Sequence, residues 1–118
     1  MKAERRRAMR AFEADRGAAW NKIEAEYDRM LALLPSGVRL VLVFIPFGHP
    51  PPPEDAARLR AYGERRGVLV VDATPALCGP PGPDGPLFWP RDGHCTPKGY
   101  AILADVVFEA ITRAGLTP

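Results

Sequence analysis

Arg39-Leu40-Val41-Leu42-Val43-Phe44-Ile45 is an almost unbroken apolar run, rich in β-branched side chains and stopped by Pro46. A short run without polar alternation fits a strand covered on both faces, the habit of a central strand in a parallel sheet. Proline has no N–H to give to a ladder, so Pro46 ends the strand. Val68-Leu69-Val70-Val71-Asp72 repeats the pattern further on. Between the two runs, Glu54 and Asp55 open a helix whose positive end suits them, and the helix continues through Leu59 and Tyr62 to Gly67. Strand, helix and strand then make one right-handed crossover with parallel strands.

The connection leaving the first strand is Phe47-Gly48-His49 followed by Pro50 to Pro53. Four prolines hold an extended conformation, as a spacer into the helix or as a docking segment for an aromatic groove. His49 falls at the strand's C-terminal end, where α/β sheets place their sites. With no acid or donor near it in sequence, it is read as a surface loop residue. Asp72 closes the second strand and could orient a histidine, but before Ala73-Thr74-Pro75 it is more simply the cap of a short turn.

Upstream, residues 1–34 read as one long helix. Trp20, Ile23, Tyr27, Met30 and Leu34 step by three and four, with Glu13, Asp15, Lys22, Glu24, Glu26 and Asp28 on other faces. Gly17 costs about 1 kcal/mol against alanine, so the segment before it is expected to bend or fray. Fewer than three clean heptads favour packing on a sheet over a coiled-coil partner. Pro35-Ser36-Gly37 closes the helix. Lys2, Arg5, Arg6, Arg7 and Arg10 cluster at its start and read as a solvated helix end, a phosphate or membrane contact being the alternative.

The chain has 118 residues, 47% apolar and 25% charged, which fits one small globular domain and argues against a disordered chain. A net charge of +2 is too small to point to nucleic acid. No run reaches the roughly 20 apolar residues of a membrane span, and the charged start lacks the apolar core of a signal peptide, so the expectation is a soluble chain. Two cysteines, Cys78 and Cys95, and two histidines do not make a metal-like cluster, and no cofactor motif is present. Both thiols are expected free, with a bridge between them as the lesser option.

Downstream of the second strand, Gly79, Pro80, Pro81, Gly82, Pro83, Asp84, Gly85 and Pro86 leave room only for loop. The loop ends in Leu87-Phe88-Trp89, whose aromatics can wall a pocket for an acyl or alkyl group. Then comes Pro90-Arg91-Asp92-Gly93-His94-Cys95-Thr96-Pro97-Lys98-Gly99-Tyr100. Thr96-Pro97 reads as an N-cap and first helical residue, and Tyr100, Leu103, Val107, Ala110 and Ile111 give that helix an apolar face. A carboxylate, Asp92, and an imidazole, His94, therefore stand at the mouth of an anchored helix. Supported polar tips of this kind commonly carry catalysis, although Asp-Gly is also an ordinary turn dipeptide and an isolated histidine is usually solvated. Cys95 beside His94 invites a thiol nucleophile, yet sequence neighbours at a helix start usually point apart.

Asp92-Gly93-His94, then Pro97-x-Gly99-Tyr100 and an apolar helix, resembles the last sequence block of the SGNH, or GDSL-type, hydrolases. The strand ending in Ile45-Pro46 and the segment Val70-x-Asp72-x-Thr74-x-x-Leu77 extend the resemblance over roughly Trp20 to Ile111. It implies a three-layer α/β/α, flavodoxin-like partial domain, with residues 1–34 as its N-terminal helix and 38–114 as strand, helix, strand, loop and helix. It also implies that Asp92 and His94 are two members of a Ser-His-Asp triad acting on ester bonds. The usual family spacing is Asp-x-x-His, whereas Asp92 stands one residue nearer to His94, a departure that bears on Asp92 more than on His94.

The family's serine block, and the blocks whose glycine and asparagine help form its oxyanion hole, have no counterpart in this sequence. The one serine, Ser36, has no Gly-Asp-Ser context and is expected on the rim opposite His94. The expectation is thus the C-terminal part of an ester hydrolase or acyl transferase, inactive alone. It would act on a small ester or acylated substrate once an N-terminal segment or self-association completes it. Phe88 and Trp89 are its candidate substrate contacts. The alternative is a non-catalytic interaction module on the same scaffold, holding a partner through its strand edge, the Trp20 stripe or the proline run.

Overall fold

The computed structural model describes residues 2–80, 82, 83 and 85–117, so Pro81 and Asp84 of the breaker-rich loop lie outside the described residues. The chain divides into two compact units, 1–38 and 39–118. The first unit is built on one helix, α1 (Lys2–Leu33), which passes through Gly17 without a break. Ala14, Ala18 and Ala19, strong helix formers, flank the glycine and offset its low propensity. No residue of α1 is buried. Of the stripe expected to be covered, Ile23 and Met30 are exposed, and Trp20, Tyr27 and Leu34 are half-buried.

The second unit is mixed α/β: β1 (Val41–Phe44), α2 (Pro53–Arg66), β2 (Leu69–Asp72), the short α3 (Thr74–Leu77) and α4 (Pro97–Arg113). β1 and β2 pair in parallel, from Val41 opposite Leu69 to Phe44 opposite Asp72. The expected crossover is therefore present. The expected full burial of β1 is not: Leu42 is buried, Val41, Val43 and Phe44 are half-buried, and Ile45 is exposed. Among the described residues the sheet has two strands, which leaves β1 with one neighbour instead of two.

α2 carries Glu54 and Asp55 in its first turn and Arg65 and Arg66 in its last, the signs its dipole favours. It stops at Gly67, whose φ of 67° is the left-handed cap conformation that glycine adopts without strain. Ala56, Leu59 and Tyr62 are buried from its inner face. Gly63 lies so close to β2 that a Cβ there would come 2.6 Å from Val70 Cγ2, and equally close to the Val68 carbonyl oxygen just before the strand.

Ala73, Leu77 and Cys95 form a buried cluster, with Leu87, Phe88, Ile102 and Leu103 packed against it. It is this cluster that fixes the start of α4. Tyr100, expected on the helix's buried face, is 54% exposed. The reason is Gly99: it is the buried residue of the first turn, lying against Leu87, and the next side chain is swung about 100° away.

Thr96 caps α4 as its sequence suggested. Its Oγ1 accepts from the Gly99 N–H at 3.2 Å and donates to the Pro86 carbonyl at 2.8 Å, tying helix to loop. Thr96→Val keeps the shape and removes both bonds from a buried position, so urea denaturation should show a loss of about 1–2 kcal/mol.

Candidate active site

His94 is delivered by backbone geometry. Phe88 and Cys95 make an antiparallel bridge. On either side of it the Trp89 N–H donates to the His94 carbonyl at 2.8 Å, and the Thr96 N–H donates to the Leu87 carbonyl at 2.9 Å. The turn between the two arms closes at Gly93, where φ is 71°. A Cβ at Gly93 would also come 3.2 Å from the Phe47 ring. Glycine therefore serves twice here, as left-handed corner and as the place where the connection after β1 meets the loop.

The imidazole points outward, with 60% of the side chain accessible, and Asp92 is equally exposed. Asp92 Oδ1 accepts from the His94 backbone N–H at 3.0 Å. The same oxygen lies 3.5 Å from His94 Nδ1, an ion-pair distance once the ring is protonated. A carboxylate on Nδ1 leaves Nε2 free to take a proton from a hydroxyl, the arrangement a general base needs. On another side the ring meets Phe47 edge-on, with centroids 5.4 Å apart. Because Phe47 lies three residues past the end of β1, His94 sits beyond the strand's C-terminal end, the rim where sites of parallel sheets collect.

Phe88 walls a hollow of about 280 Å³ with Gly48, Leu77 and Leu87. Gly48 also touches Gly93, so this hollow opens beside the histidine loop. Pro50, Cys78 and Gly79 are shared with a larger groove of about 470 Å³, along which Pro50 to Pro53 form one wall. The proline run, whatever else it does, shapes a groove. Trp89 is 50% exposed and adjoins His94 through its backbone N–H.

Other candidates are occupied elsewhere. Asp72 accepts from the Thr74 N–H at 3.0 Å and pairs with Arg60 at 3.3 Å, the turn-capping role anticipated for it. His49 is exposed, its Nδ1 2.7 Å from the Phe47 carbonyl oxygen. Ser36 belongs to the first unit, and residues 39–118, which hold His94, contain no serine. Among the described residues no three His, Cys, Asp or Glu side chains converge as metal ligands would. None of the helices is long and apolar enough to cross a membrane.

Cys78 and Cys95 are free thiols. Burial pushes both up from the ordinary value of 9.0, and the Asp72 carboxylate adds to the effect at Cys78. A thiol held in its neutral form is a poor nucleophile, and Cys95 is only 5% exposed. Iodoacetamide at neutral pH should therefore label both slowly, Cys78 ahead of Cys95. Above 9.0 the unfolded chain releases thiol protons that the folded chain keeps, so denaturation midpoints should fall as pH rises through that region.

Phe47 was the contact the sequence reading missed. Its signal was the pair of glycines, Gly48 and Gly93, flanking two aromatic or imidazole side chains, but the pairing of such distant turns is not visible along the chain. Compared with protein-family models, curated proteins and solved structures, the chain matches none.

Proposed function

We propose that this chain supplies the acid-base half of an SGNH-type ester hydrolase, or of an acyl transferase using the same triad, on a flavodoxin-like α/β/α scaffold. His94 takes the proton of a serine hydroxyl as the hydroxyl attacks an ester carbonyl. Asp92 holds the ring's Nδ1–H and steadies the imidazolium that forms. His94 then returns the proton to the departing alcohol. The serine and the donors for the oxyanion come from a segment other than residues 39–118. The hollow beside Phe88 takes the acyl group along its Leu77, Leu87 and Phe88 side.

The observation that carries this reading is the exposed His94 imidazole at the C-terminal rim of β1, with Asp92 Oδ1 on its Nδ1 side and a backbone bridge fixing its position. The experiment is p-nitrophenyl acetate hydrolysis by the chain alone and mixed with a segment carrying a serine block. Activity only in the mixture is the expected result. Activity of the chain alone that survives His94→Ala overturns the role given to His94.

A second reading is favoured by the large side chains left open on α4, with Phe108 64% and Tyr100 54% exposed. A non-catalytic module that binds a partner through this helix would hydrolyse no ester in any mixture, while still eluting as a heteromer.

A further inference from the structure

The groove walled by the proline run takes no part in the chemistry at His94. Its volume of about 470 Å³ is that of a small-molecule site, and Pro50 to Pro53 and Pro75 line it with saturated rings. The same groove carries a charged pair. Arg60 gives a guanidinium N–H to Asp72 Oδ2 at 3.3 Å, and both side chains line the space. Asp72 Oδ1 accepts from the Thr74 N–H at 3.0 Å. Thr74 lines the groove as well, and its Oγ1 is buried with no hydrogen-bond partner. Buried hydroxyls left unpaired are uncommon, and one in the wall of a groove fits a site that takes a hydrogen-bonding ligand. We propose that this groove binds an uncharged, phenol-like aromatic alcohol, with its ring on the prolines and its hydroxyl at the Arg60–Asp72 pair.

Charge selects the polar end. A ligand carboxylate would meet Arg60 but stand against Asp72, and a ligand ammonium would meet Asp72 but stand against Arg60, so attraction and repulsion offset in each case. A hydroxyl avoids the conflict. It accepts from the guanidinium and donates to the carboxylate, and neither charge loses its partner. With 52% of its side chain open, Arg60 has N–H groups to offer beyond the one on Asp72. The rings select the apolar end. Proline segments and aromatic faces are mutual partners in peptide recognition, and here the chain supplies the prolines. The groove shares Pro50, Cys78 and Gly79 with the hollow beside Phe88. If the chain is half of an ester hydrolase, a reading on which this last step alone rests, the acyl group and the aromatic alcohol of one ester occupy adjoining spaces.

The test needs neither a serine segment nor His94. Amide NMR spectra of the full chain are titrated with p-cresol, and with p-toluate as the charged molecule of similar shape. Saturable shifts at Arg60, Asp72, Thr74 and Cys78 are expected with p-cresol, which should bind about fivefold tighter than p-toluate. Arg60→Ala, on an exposed side chain, should weaken p-cresol about three- to tenfold, the effect of one hydrogen bond. Asp72→Asn keeps an acceptor for the Thr74 N–H but leaves the guanidinium unopposed, so the preference should reverse in favour of p-toluate. No saturable shift in the groove, p-toluate bound as tightly as p-cresol by the parent chain, or variants indistinguishable from the parent would each overturn the proposal. Binding as described, with no ester hydrolysis in any mixture, would remove the catalytic reading and leave the groove assignment standing.

Discussion

His94→Ala should abolish the ester hydrolysis proposed for the chain paired with a serine-bearing segment, lowering turnover on the order of 10⁴-fold or more. The side chain is 60% exposed and its position is set by backbone bonds, so the melting temperature should barely move. A large loss of rate without loss of stability separates a proton carrier from a structural histidine. Asp92→Ala should cost less, roughly 10²-fold, near the lower end of general acid-base assistance. Its carboxylate is solvated and meets Nδ1 only at 3.5 Å, so water can partly replace it. Equal rates for His94→Ala and the parent would remove the proposed chemistry altogether.

The second large effect lies under the site. Gly99→Ala should destabilise the chain by about 3 kcal/mol. Intrinsic helix propensity alone would give the opposite sign, a gain of about 1 kcal/mol. Packing should win because the new methyl would overlap the Leu87 carbonyl oxygen, a backbone atom, and crowd Cys95 Cβ at 3.1 Å. That carbonyl is also the acceptor for the Thr96 N–H, so moving it strains the arm that presents His94. Urea denaturation reads the sign directly. A variant as stable as the parent would mean that the loop yields freely.

How much of this was legible in the residues differs by element. The crossover could be read because each piece carries its own local instruction: β-branched runs for β1 and β2, paired acids and a terminal glycine for α2, Thr96-Pro97 for α4. The capping role of Asp72 was legible for the same reason. Burial was not. Val41 to Ile45 look like a central strand by composition, and whether a neighbour exists on each side is not written in them. The same holds for α1, whose Trp20, Ile23, Tyr27 and Met30 do not record what, if anything, lies against them. At the site, His94 and Asp92 stood out by type and spacing. The Phe88–Cys95 bridge and the Phe47 contact could not be read, because backbone pairing across a proline-rich loop has no side-chain signature.

That bridge has an evolutionary consequence. The Phe88–Cys95 bridge, the Asp92 carboxylate and the Phe47 ring hold His94, whereas Pro90 and Arg91 at the tip of the loop are not among these contacts and are both exposed. Those two positions can drift or be randomised in the laboratory while the histidine keeps its bearing. New selectivity could therefore be sought at this corner without first repairing the scaffold.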